Sequence, residues 1–94
     1  MLRIVKMTFK PDAIEDFTQI FEASKPLIED FPGCQGVDLM QDINDKHIIM
    51  THSTWDGPEA LEACRTSDLF RNTWAKTKVL FADKPLAWSL RQIG

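Results

Sequence analysis

Only two side chains in this sequence, His47 and His52, titrate near neutral pH in their ordinary state, and they stand in a run rich in β-formers. An odd separation along a strand places them on opposite faces, so they cannot share one metal ion unless the strand bulges. No metal site is expected. His47 follows the turn-like Asn44-Asp45-Lys46 and reads as a solvated side chain. His52 shares a face with Ile48 and Met50, where a half-buried imidazole can take a proton from a bound phenol or hydroquinone. It is the candidate general base, with a structural histidine hydrogen-bonded near the sheet edge as the alternative.

The nine aromatics are six Phe and three Trp with no Tyr, so the protein supplies no phenol of its own. Trp55, Trp74 and Trp88, with Phe70 and Phe81, can line an apolar pocket or form plain core. Cys34 and Cys64 lie thirty positions apart, and neither has a second thiol beside it. A redox CxxC pair and a zinc knuckle are both excluded. Reduced thiols in a cytoplasmic protein are the expectation. The carboxylates Asp12, Glu15, Asp16, Glu22, Glu29 and Asp30 fall mostly off the apolar helical stripe and read as a solvated face. No Ser/His/Asp order, glycine-rich phosphate loop or HExxH segment is present, which removes the standard hydrolases, nucleotide enzymes and zincins.

These residues must be positioned within 94 residues, the length of one modest domain, and residues 1–94 are expected to form a single unit. The net charge of −3 argues against nucleic acid or an anionic membrane surface as partner. No stretch approaches the roughly 18–20 apolar residues that span a bilayer, and the first residues lack a signal-peptide h-region.

Val5, Met7 and Phe9 alternate with Ile4, Lys6 and Thr8, predicting a strand over 2–10. Asp12 and Glu15 have the spacing of a capping box, so a helix is expected to start there. Ile14, Phe17, Phe21, Ile28 and Phe31 form its stripe, Pro26 should kink or divide it, and Phe31-Pro32-Gly33 should end it. A β-hairpin is expected over 34–43 and 47–55. Asp56 and Glu59 repeat the capping spacing ahead of a short helix, and Thr66-Ser67-Asp68 offers the cap of a further helical piece. Leu86, Trp88 and Leu90 alternate in a last strand. The order β-α-β-β-α-β predicts an α+β, ferredoxin-like fold with a four-stranded antiparallel sheet. Several strands carry large apolar residues at both parities, while helices can cover only one sheet face. A homodimer that covers the other face is therefore expected.

The strand Ile4-Val5-Lys6-Met7-Thr8-Phe9-Lys10-Pro11, the Phe31-Pro32-Gly33-Cys34 turn, the hairpin closing on Thr54-Trp55 and the segment Glu59-Ala60-Leu61-Glu62-Ala63 together resemble the antibiotic biosynthesis monooxygenase domain family over essentially the whole chain. The resemblance implies a dimeric α+β barrel in which two sheets pack face to face. It also implies one of several activities: cofactor-independent oxidation of phenols or hydroquinones, haem degradation, or small-molecule binding without chemistry. In the haem-degrading branch a first-strand Asn, a helical Trp and a ligating His do the work. The corresponding positions here are a strand without Asn, then Cys64 and Trp74. Indole cannot ligate iron, so haem degradation is not expected. By the same resemblance Trp74 faces a ligand cavity between helix and sheet, Cys64 borders it, and Thr8 and Lys6 occupy the first-strand region that holds a polar site residue.

The inventory suits a cofactor-independent monooxygenase acting on a small phenolic or hydroquinone-like molecule, with no cofactor, His52 as base, and Trp55, Cys64, Phe70, Trp74 and Thr8 around the substrate. The alternative is a non-catalytic homodimeric binder of a small hydrophobic metabolite. The missing Tyr, the missing first-strand Asn and the missing helical His favour that alternative.

Overall fold

Period-2 alternation makes Leu2–Thr8 a strand, β1, in the computed structural model, which describes residues 1–94. After it come α1 (Ile14–Glu29), β2 (Cys34–Gln41), β3 (Ile48–Trp55), α2 (Pro58–Arg65), α3 (Asp68–Lys78) and β4 (Leu86–Leu90). The four strands form one antiparallel sheet in the order β2-β3-β1-β4. This is the ferredoxin-like arrangement, with its second helical region broken into α2 and α3. Ser67 makes the break: its hydroxyl accepts the Phe70 amide at 3.2 Å and caps α3, as the Thr66-Ser67-Asp68 spacing predicts.

The two acidic caps do not form. Ala13, not Asp12, precedes α1; it is buried, its amide turns back to the Lys10 carbonyl at 3.0 Å, and no side chain caps the helix. Gly57 precedes α2, with Pro58 at the first helical position. Asp56 instead ties the hairpin down, accepting Gln35 Nε2 at 2.6 Å and donating its amide to the Gly33 carbonyl at 2.8 Å. Pro26 does not divide α1. It lies in the last turn, where losing one amide leaves most of the helical ladder intact.

Gly33 has φ +85°, and a Cβ there would stand 2.5 Å from that of Ala60. Only glycine lets the start of β2 approach α2 this closely. The helices cover the sheet face that carries Val5, Met7, Val37 and Ile49, and Phe9, Phe17 and Phe21 complete the main core there. A smaller cluster of Trp55, Leu61 and Cys64 closes one end of the layer, with Cys34 packed against it.

The opposite sheet face has no cover in the chain. Leu2, Ile4, Lys6 and Thr8 alternate away from the core on β1, and across the sheet they pair with Thr54, His52, Met50 and Ile48. On this face Met40 is 47% exposed, Leu86 51%, Trp88 43% and Leu90 43%, a large apolar area to leave in water.

Candidate functional site: a cavity between sheet and helices

A cavity of about 400 Å³ lies between the covered face of the sheet and the helices. Its floor is β1 and β3, through Arg3, Val5, Thr51 and Ser53. Helix α3 supplies one wall with Phe70, Thr73, Trp74 and Thr77, residues placed on one side of the helix by their spacing. The Phe70 and Trp74 rings stack at 5.9 Å with 10° between their planes, and Phe81 meets Trp74 edge-on at 5.5 Å. Phe81 in turn touches Phe9 at 5.4 Å. The wall is thereby anchored in the main core, which holds the indole in one orientation.

The closed end is Trp55 with Leu61 and Cys64. Trp55 is 2% exposed and donates its indole N–H to the Ser53 hydroxyl at 2.9 Å. Cys64 is equally buried, and its thiol is pushed up to about 11, first by loss of water and second by the neighbouring Cys34. It stays protonated at neutral pH and is neither nucleophile nor base. Several hydroxyls of the wall are already spent: Thr77 donates to the Thr73 carbonyl at 2.8 Å and Ser24 to the Phe21 carbonyl at 3.2 Å.

Of the residues singled out in the sequence, Trp55, Cys64, Phe70 and Trp74 come together around this cavity. His52 and Thr8 do not. Both stand on the uncovered side of the sheet, His52 between Asp38 of β2 and Ile4 of β1, and Thr8 opposite Ile48. Residues 49, 51, 53 and 55 of β3 turn toward the helices, so the parity that His52 shares with Ile48 and Met50 is the outward one. A base role for His52 in cavity chemistry is thereby corrected: the sheet itself lies between them. His47 stands in the β2–β3 turn with Nδ1 3.1 Å from Asp45 Oδ1.

Sequence reasoning missed Arg3 and Arg65. Arg3 belongs to the same parity as Val5, Met7 and Phe9, so a cation on an apolar strand face was the available signal. Its Nη1 donates to the Ser89 hydroxyl on β4 at 2.9 Å. Burial holds its pKa below the ordinary value, and the charge of Arg65 lowers it further.

A four-stranded antiparallel sheet with one helical layer and an aromatic cavity between them defines a small ferredoxin-like α+β domain. The chain belongs to the antibiotic biosynthesis monooxygenase family, whose model matches residues 1–76. Its fold is that of the Rv0793 protein from Mycobacterium tuberculosis, at a TM-score of 0.90 and 18% identity over 99% of this chain and 94% of that one. A solved antibiotic biosynthesis monooxygenase superposes equally well, at a TM-score of 0.90 and 17% identity with both chains fully covered. A curated relative from Natronomonas pharaonis, provisionally named a heme-binding protein, is 35% identical over 78 residues, which are 83% of this chain and 13% of that protein. The chain thus spans only a small part of that relative's length.

Haem does not fit the residues present. No imidazole lines the cavity, its thiol is protonated at neutral pH, and both histidines lie elsewhere. No cluster of three or more His, Cys, Asp or Glu gathers to hold a metal ion, and no helix is long and apolar enough to cross a membrane.

Proposed function

We propose that the chain takes a small aromatic molecule into the cavity beside Trp74 and oxidises it with dioxygen without a cofactor, converting a phenolic or hydroquinone-like substrate to a quinone. The carrying observation is the cavity itself: about 400 Å³, walled by Trp55, Phe70 and Trp74. This lies within the roughly 300–1,000 Å³ of small-molecule sites. For a phenol the reaction balances as phenol plus dioxygen to para-quinone plus water, and for a hydroquinone as hydroquinone plus dioxygen to hydroxyquinone plus water. One oxygen atom enters the ring, the other leaves as water, and the substrate supplies all the electrons. Ionisation of the hydroxyl starts the reaction, because a phenolate gives an electron to dioxygen far more readily than a phenol. The protein contributes orientation and exclusion of water. No carboxylate or imidazole lines the cavity, so the phenolic proton goes to solvent at its mouth, where Arg65 is exposed.

The lack of a proton acceptor in the cavity favours a second reading, a non-catalytic binder of a small hydrophobic metabolite. In either reading two copies pack their uncovered sheet faces together, burying Met40, Leu86, Trp88 and Leu90. Two free thiols suit a reducing compartment such as the cytoplasm.

Oxygen uptake with naphthalene-sized hydroquinones separates the readings. Uptake above the buffer rate that yields hydroxyquinone without hydrogen peroxide, and is lost when Cys64→Phe fills the cavity with its folding verified by circular dichroism, supports the monooxygenase. Calorimetric binding without uptake supports the binder.

A further inference from the structure

The cavity carries charge of one sign only. Arg3 and Arg65 are the sole charged residues on its wall, in a chain whose net charge is −3. Arg3 pairs with no carboxylate; its only side-chain hydrogen bond goes to the neutral Ser89 hydroxyl. Arg65 has a single partner, Glu62, at 3.4 Å on the exposed side of α2, and such a pair leaves most of the guanidinium's charge and donors unused. A guanidinium offers five donors and cannot lose its proton in a protein, so the partly buried Arg3 on the floor and the more exposed Arg65 beside it leave donors free for an acceptor in the cavity. Burial first and the Arg65 charge second work against the Arg3 cation, and an anion between the two would relieve it.

Resting on the small-molecule reading above, we infer that Arg3 and Arg65 form an oxyanion subsite, so that the occupant is an aromatic molecule bearing one anionic oxygen group, a carboxylate or an ionised phenol. The aromatic body lies against Trp74 and Phe70, and the oxyanion lies at the β1 end of the floor. For a phenol this subsite replaces the missing base. It favours the ionised form of the bound substrate, and the proton leaves to water.

Three probes with one body test this: 2-naphthoate, 2-naphthol and the neutral 2-naphthalenemethanol. Calorimetry on the full chain should show 2-naphthoate binding at least about tenfold tighter than the carbinol, the ratio one charge-assisted hydrogen bond supplies. Arg3→Gln should remove that preference while the carbinol affinity stays within about twofold. Arg65→Gln, a surface change that folding tolerates, should weaken 2-naphthoate alone. Bound 2-naphthol should ionise at lower pH than free 2-naphthol, seen in its absorption. Equal affinity for 2-naphthoate and the carbinol, or a preference that survives both substitutions, overturns the subsite and leaves the cavity reading intact. If none of the probes binds, the cavity reading falls and the subsite with it. A carboxylate preference without a shift in 2-naphthol ionisation confines the subsite to carboxylates.

Discussion

Phe70 and Trp74, one turn apart on α3, stack at 5.9 Å and present a flat aromatic wall to the cavity. Trp74→Ala removes that stack and the edge contact to Phe81. Each aromatic pair is worth about 0.5–1.5 kcal/mol beyond its burial. Because Trp74 is half-buried, the loss should be about 2–3 kcal/mol, short of the roughly 3–5 kcal/mol of a fully buried aromatic. Urea unfolding at fixed protein concentration measures it, and affinity for a naphthalene-sized ligand should fall about tenfold or more in the same variant.

His52→Ala should leave oxygen uptake and ligand affinity at wild-type levels, because the side chain stands beside Ile4 and Asp38 on the far side of the sheet from the cavity. A loss of tenfold or more in uptake by a variant that remains folded would return His52 to the chemistry.

The uncovered face sets the expected assembly. Light scattering should give about twice 10.8 kDa at micromolar concentration. Trp88→Glu, placing a charge midway along the edge strand β4 on that face, should return the mass to 10.8 kDa while far-ultraviolet dichroism is retained. A wild-type mass of one chain would refute the dimer.

Gly33→Ala should destabilise by about 1–3 kcal/mol, since alanine at φ +85° is strained and its Cβ meets that of Ala60. The expected signature is a lower urea midpoint with an unchanged slope.

The Cys64 thiol is held up to about 11, so the folded state keeps its proton more tightly than the unfolded chain, where the value is near 9.0. Its contribution to stability is therefore fully present below pH 9 and lost as pH rises from 9 to 11. The difference in unfolding free energy between wild type and Cys64→Ala should stay flat up to pH 9 and shrink above it. Iodoacetamide at pH 7.5 should leave Cys64 unmodified until denaturant is added.

Element types and order were legible because alternation, helical stripes and the Ser67 cap are local signals. The acidic caps failed for a non-local reason: Asp56 is drawn to Gln35 and Gly33, partners that only the folded hairpin brings near. The clustering of Cys34 with Cys64 was equally hidden by their sequence separation. Four of the cavity residues, Trp55, Cys64, Phe70 and Trp74, were accessible from aromatic spacing and family resemblance. Arg3 was passed over because a strand residue can point either way.

By itself, then, the sequence determined which residues share a face: Arg3 with Val5 and Met7, and His52 with Ile48 and Met50. It could not say which face the helices cover, because a strand's two parities are equivalent until a third layer arrives and β1 and β3 carry large apolar residues on both. Tertiary structure decided that when the crossover from β1 through α1 to β2 placed the helices on the Val5 side. That one choice put Arg3 into the cavity and left His52 outside it.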